Sequence, residues 1–184
     1  MNICVYGAAS DSIADVYKKA GEQLGEELAR RGHGLVFGCG ASGMMGASAR
    51  GASRGGGHII GVAPSFFNVD GVLYPECDEY VFTETMRERK QQLENLSDCF
   101  IISPGGVGTF DEFFQILTLK TLGQHDKPII LYNINGFWDN MISVIGTDLI
   151  KGFISTATAD CFCICETPES VFNVIESHAS AENT

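Results

Sequence analysis

The run Pro104-Gly105-Gly106-Val107-Gly108-Thr109-Phe110-Asp111-Glu112 follows a short apolar stretch, precedes an amphipathic one, and carries the most specific chemical signal in the chain. Glycines 105, 106 and 108 let a backbone turn tightly and approach a ligand with no Cβ in the way. A helix starting there presents free N–H groups and a partial positive charge, which together make a phosphate cradle. It is not a Walker A loop, because no Lys-Ser or Lys-Thr pair follows the glycines. The same residues also fit a capping box, with Thr109 capping the helix and Glu112 reaching back to its amide. The glycine density ahead of that box exceeds what a cap requires.

Thr85-Met86-Arg87-Glu88-Arg89-Lys90 offers cations for an anion, although a charged helical run is more often a solvated face. Gly38-Cys39-Gly40-Ala41-Ser42-Gly43 matches GxGxxG, follows a strand-like run and opens a helix-like one. A dinucleotide site also needs an acidic residue at the end of the next strand, and here that strand ends Gly61-Val62-Ala63-Pro64. Those glycines are therefore expected to serve close packing, or to touch a nucleotide from another side. Cys161, Cys163 and Cys165 alternate as if on one face of a strand and lack zinc-ligand spacing, so they read as small buried hydrophobes. His125 is expected at a helix C-terminus, and no Ser-His-Asp or Cys-His arrangement can be assembled.

The elements that must position these residues alternate. NICVYG, GLVFG, HIIGVAP, Tyr80 to Phe82, CFIIS, PIILYN and CFCIC read as strands. Helical spacing runs from about Ser12 to Arg31, after Gly43, over Met86 to Asn95, to about Leu122, over about Phe137 to Lys151, and after a Thr167 cap with Pro168 at its first position. Ser65 to Asp78 reads as an aromatic, proline-containing loop. The alternation predicts a single α/β domain: a Rossmann-like, doubly wound parallel sheet with helices on both faces. That domain is expected over residues 1–178, with 179–184 as a loose tail. Ligands of such sheets bind at the carboxyl ends of the strands, where Pro104 to Glu112 falls.

The chain has 184 residues, enough for one such domain. A net charge of −11 and no long basic stripe argue against a nucleic-acid polymer as partner, while a local nest of amides can still hold a small anion. No run approaches the roughly 20 apolar residues of a membrane span, and the N-terminus lacks a basic export segment, so no membrane partner is expected. Seven scattered cysteines suit reduced thiols in the cytoplasm better than a disulfide framework.

TMRERK followed by PGGVGTFDE resembles the paired M-x-x-R-K and P-G-G-x-G-T-x-x-E motifs of the Lonely Guy family. The resemblance extends to Gly38 to Gly46, to GVAP at Gly61 to Pro64, to LGQHDKP at Leu122 to Pro128 and to NINGFW near Asn133. Members are cytokinin riboside 5′-monophosphate phosphoribohydrolases, so the resemblance implies a homodimer with sites near the subunit interface and a nucleoside 5′-monophosphate as substrate. It makes Glu112 and Arg89 catalytic, makes Gly105, Gly106, Gly108 and Thr109 phosphate-binding, and places Met86 and Lys90 near the substrate. Members have also carried a lysine-decarboxylase label. That chemistry calls for pyridoxal phosphate held by a lysine, and no lysine of the sequence reads as a plausible pocket lysine. The chain departs from the family at Gly7-Ala8-Ala9-Ser10-Asp11-Ser12, where a C-G-S-S-x-G element is common, and at Cys39 inside a glycine triplet.

N-glycosidic hydrolysis passes through an oxocarbenium-like sugar and needs a nearby carboxylate. Glu112 is expected to activate water or to stabilise the developing charge, with the helix N-terminus keeping it ionised. Arg89 is expected either to contact the phosphate or to orient Glu112. No cofactor and no metal are called for. Two alternatives share these residues: a broader purine or pyrimidine monophosphate nucleosidase in salvage, and a non-catalytic binder of a nucleotide or phosphorylated cofactor.

Overall fold

The computed structural model describes residues 1–182. Seven parallel strands form one sheet: β1 (Asn2–Tyr6), β2 (Gly34–Phe37), β3 (Ile59–Pro64), β4 (Glu79–Thr83), β5 (Cys99–Ile102), β6 (Ile129–Tyr132) and β7 (Cys163–Cys165), in the order β4-β3-β2-β1-β5-β6-β7. The expected doubly wound α/β fold is what forms. Winding reverses between β1 and β5, where Tyr6 pairs in register with Ile102, so the loops leaving these two strands open a crevice.

Side chains alternate across the sheet. Ile3 and Val5 of β1 and Cys99 and Ile101 of β5 point into one apolar layer, while Cys4, Tyr6, Phe100 and Ile102 point into the other. Helices α1 (Asp15–Arg30), α2 (Gly43–Arg54) and α7 (Pro168–Glu182) cover the first face. Helices α3 (Met86–Asn95), α4 (Val107–Thr121) and α5 (Asp139–Ile150) cover the second. Strands buried on both sides explain the continuous apolar runs such as Cys99-Phe100-Ile101-Ile102. α1 and α2 touch backbone to backbone: a Cβ on Gly25 would lie 2.0 Å from Ser48 O, and one on Gly51 would lie 2.0 Å from Glu22 O.

Several boundaries differ from the sequence-based expectation. α1 begins at Asp15, because Ser10 Oγ accepts from Ser12 N and Ala14 is extended. α5 begins at Asp139, after a 3-10 turn over Ile134–Gly136 held by left-handed Asn135 (φ 52°) and Gly136 (φ 69°). The short helix α6 (Thr156–Ala159) precedes β7, which begins only at Cys163. Cys161 therefore packs with the layer opposite to that of Cys163 and Cys165, so the expected single face of cysteines does not form. α7 continues through Ala179 and Ser180 into the stretch expected as a tail, and residues 183–184 of that stretch lie outside the described residues. No helix among the described residues is long and apolar enough to cross a membrane.

Candidate active site

A cavity of about 680 Å³ opens at the carboxyl ends of β1, β2 and β5. Its floor comes from two strand-to-helix loops, Gly7 to Ser10 and Gly38 to Ser42, and from Gly106, Gly108 and Thr109 at the head of α4. Met86, Arg89 and Lys90 of α3 and Asp111 and Glu112 of α4 enter from one side. The loop after β3 supplies Phe67, Gly71, Val72 and Leu73 from another.

α3 is fixed by a capping box that the sequence reading placed elsewhere. Thr85 Oγ1 accepts from Glu88 N, and Glu88 returns a carboxylate oxygen to the Thr85 amide. From this start, Met86, Arg89 and Lys90 share one helical face, at spacings of three and four residues, and turn into the cavity. Arg87 stays exposed, so the charged run is divided between site and solvent.

α4 begins at Val107 with Gly106 as its N-cap, and no side chain caps it. Thr109 is thus already inside the first turn, and the capping box expected of Thr109 and Glu112 does not form. Phe110 N is the first amide of this turn to find a carbonyl, that of Gly106; among the described residues the amides of Val107, Gly108 and Thr109 have no protein acceptor. Gly106, Val107 and Gly108 are exposed and Thr109 is buried, so this first turn runs from solvent into the cavity wall. Gly106, Gly108 and Thr109 lie on the wall. Gly105 lies behind it: a Cβ there would meet Thr109 Oγ1 at 2.0 Å, so its smallness seats the Thr109 side chain.

The head of α2 faces the same cavity in a different state. Gly43 N donates to Asp11 Oδ1 at 2.9 Å, and Met45 N donates to Ala8 O at 3.2 Å. The amide hydrogen bond from Gly43 is the main reason the Asp11 carboxyl is held below its ordinary value. The GxGxxG segment thus has its helix head filled by the chain's own carboxylate, and its Gly38, Gly40, Ala41 and Ser42 serve as cavity wall. An anion entering from solvent finds open amides at α4 and a resident negative charge at α2.

Glu112 is buried, and it does not reach back to its own helix start. Its Oε1 accepts from Arg89 Nη1 at 2.9 Å, with side-chain exposures of 7% for Arg89 and 10% for Glu112. Arg89 Nε donates to Val62 O at 3.2 Å, and the guanidinium lies against Gly38, where a Cβ would sit 1.9 Å from Nη2. Burial pushes the Glu112 carboxyl up, and the charge and hydrogen bond of Arg89 oppose it without cancelling it. Beside the help expected from the helix N-terminus, the charged form of Glu112 is favoured by Arg89 first and by Lys90 after it.

Lys90 Nζ lies 3.1 and 3.0 Å from the two carboxylate oxygens of Asp111. Lys90 reaches the cavity, at the motif position implied by the resemblance and against the expectation of no pocket lysine, with its Nζ engaged by the Asp111 carboxylate. Asp111 and Met45 lie inside the motifs of the sequence, and Phe67, Val72 and Leu73 inside its aromatic loop, but none of them was expected to have a role of its own at the site. Position beyond a strand's carboxyl end was the signal available for Ala8 and Ser10, and it was the only one for the long aromatic loop after β3. His125 Nε2 meets Ile116 O at 3.0 Å near the end of α4, as expected of it. Among the described residues no cluster of His, Cys, Asp and Glu could hold a metal ion.

Residues 45–175 match the sequence model of the family described as possible lysine decarboxylase. The chain is 32% identical over 177 residues to the cytokinin riboside 5′-monophosphate phosphoribohydrolase LOG3 of Arabidopsis thaliana, covering 96% of this chain and 82% of that one. It is 37% identical over 153 residues to the phosphoribohydrolase LOG of Oryza sativa subsp. japonica, covering 83% of this chain and 63% of that one. Among solved structures, the molybdenum cofactor carrier protein of Chlamydomonas reinhardtii superposes with a TM-score of 0.75 at 19% identity, over 98% of both chains. At that identity the likeness is one of fold.

Proposed function

The chain belongs to the Lonely Guy family of phosphoribohydrolases, and from that premise we propose that it hydrolyses the N-glycosidic bond of an adenine-type nucleoside 5′-monophosphate, a cytokinin riboside monophosphate or AMP. The products are the free base and ribose 5-phosphate. The observation that carries this reading is the pairing of an open helix head with a buried carboxylate in one cavity: Gly106, Gly108 and Thr109 beside Arg89 and Glu112.

In this reading the amides of Val107, Gly108 and Thr109 grip the 5′-phosphate, and the phosphate's binding energy is spent on placing the ribose. Glu112, one helical turn further in, faces the anomeric carbon. It acts as general base toward water or stabilises the oxocarbenium-like charge as the base departs. Arg89 orients Glu112 by its 2.9 Å bond and is a positioning residue. Lys90, held by Asp111, adds positive charge close to the phosphate. The base lies against Met45, Phe67, Val72 and Leu73, an apolar surface suited to a planar ring with an apolar substituent.

The second proposal concerns assembly. Val107 and Phe114 are 86% and 42% exposed and lie on one face of α4, with Val107 between the wall residues Gly106 and Gly108. A homodimer burying that face places each site near the subunit boundary.

The direct test compares wild type with Glu112→Gln on AMP and isopentenyladenosine monophosphate, measuring released base and ribose 5-phosphate. Wild type is expected to turn over at least one of them, and the variant to lose about 10²–10⁴-fold in rate. A variant with undiminished turnover removes Glu112 from the mechanism. A folded wild type that binds nucleotides and releases no base turns the reading toward a binding protein.

A further inference from the structure

Two thiols face each other behind the cavity wall. Cys39 Sγ and Cys77 Sγ lie 4.0 Å apart. Both lean over Gly61 of β3, where a Cβ would come within 2.5 Å of the Cys39 sulfur and 2.9 Å of the Cys77 sulfur. The absent side chain at Gly61 is what gives the pair its room. Cys39 holds a φ of 62°, a left-handed conformation in which glycine carries no steric cost and a side chain does. A side chain kept at such a position beside a site points to a use for it.

The two cysteines belong to different segments of the cavity's lining. Cys39 lies between Gly38 and Gly40 on the wall, while the Cys77 loop supplies Phe67, Val72 and Leu73. The segments already meet along a seam: Tyr74 N donates to Cys39 O at 2.8 Å and Ala41 N to Val72 O at 3.0 Å. Cys39 is buried, whereas Cys77 is partly open to solvent. The contact with Cys77 holds the Cys39 thiol below its usual value, which makes Cys39 the better thiolate of the two.

We propose that Cys39 and Cys77 form a reversible disulfide site whose oxidation slows turnover in the adjoining cavity. The co-reactant is a low-molecular-weight disulfide. The Cys77 sulfur, partly open to solvent, attacks one sulfur of the co-reactant, and its proton leaves with the other as a free thiol. Cys39, as thiolate, then attacks the Cys77 sulfur of the mixed disulfide and expels the second half of the co-reactant as a thiolate. Two protein thiols are oxidised to one disulfide, and the co-reactant is reduced to two thiols.

Closing the bond draws the sulfurs from 4.0 Å to about 2.0 Å. Gly38, next to Cys39, packs on Arg89 with no clearance, so moving Cys39 moves the guanidinium that holds Glu112. The loss of turnover rests on the role proposed for Arg89 and Glu112, while the cross-link itself does not.

The experiment exposes the folded full chain to glutathione disulfide, maps its cysteines by non-reducing peptide mass spectrometry, and measures AMP turnover before, after, and after dithiothreitol. A Cys39–Cys77 cross-linked peptide is expected, with turnover at least about tenfold lower and restored by dithiothreitol. Cys77→Ser is expected to match the reduced wild type and to ignore the oxidant. Free thiols at both positions after exposure, a cross-linked chain as fast as the reduced one, or a Cys77→Ser variant still inactivated would each overturn the proposal. If the reduced wild type releases no base, the functional reading fails on that result, and the peptide map still decides whether the site exists.

Discussion

Arg89 of α3 and Glu112 of α4 meet as a buried ion pair, Nη1 to Oε1 at 2.9 Å, at the point where two separate helices turn into one cavity. Neither helix brings the pair together alone. α3 needs its Thr85–Glu88 capping box to start in phase, and α4 needs Gly106 as its boundary so that Glu112 falls on the inward face.

Removing one partner of this pair strands the other without compensation. Glu112→Leu is expected to cost about 3–5 kcal/mol of stability, read by denaturant unfolding. The double variant Arg89→Met with Glu112→Leu recovers most of that loss, because both charges are gone and apolar side chains fill the space. Turnover stays abolished in both variants. Equal instability of the single and double variants would show that the pair is not a coupled unit.

The pH profile follows from burial. Burial raises the folded-state value of Glu112 above the ordinary 4.5, so the acid limb of kcat/KM is expected above that value. For stability the sign is opposite to that of a surface glutamate. Between the unfolded and folded values the native chain binds the extra proton, so this group's contribution falls as pH rises through that window. Rate measurements and unfolding curves across the acid range check both statements, with Glu112→Gln abolishing each.

Glycine substitutions separate wall from packing. Around Gly106 and Gly108 there is open space, so alanine there is expected to leave stability within about 0.5 kcal/mol and to raise KM by crowding the phosphate. Gly38→Ala instead pushes on the Arg89 guanidinium and is expected to lower kcat by about 10²-fold. Steady-state kinetics beside thermal unfolding distinguish these patterns.

Phe114→Asp places a charge on the exposed face of α4 that Val107 shares. A shift from dimer to monomer in light scattering, with a folded chain, is the expected outcome. Unchanged mass would remove this face from the assembly.

Much of this was legible in the sequence. Strand-like apolar runs alternating with helical spacing gave a doubly wound sheet, and Pro104 to Glu112 at a strand's end located the cavity. The misplaced capping box shows what local pattern leaves out: Thr109 and Glu112 have the right spacing, but helix α4 starts at Val107, so they sit inside it. The GxGxxG segment was refused a dinucleotide for want of an acidic residue after the next strand, and the residue that fills its helix head, Asp11, lies 32 positions away and is placed by the fold. The aromatic loop after β3 has no periodicity, so beyond its place at a strand's end only its docking on Cys39 and Ala41 reveals it as cavity wall.

The central claim is tested most directly by a crystal structure of Glu112→Gln soaked with AMP. The phosphate oxygens are expected about 2.7–3.2 Å from the amides at the head of α4, with the glycosidic bond facing residue 112. A phosphate held at the head of α2, or a ribose turned away from that side chain, would contradict the account.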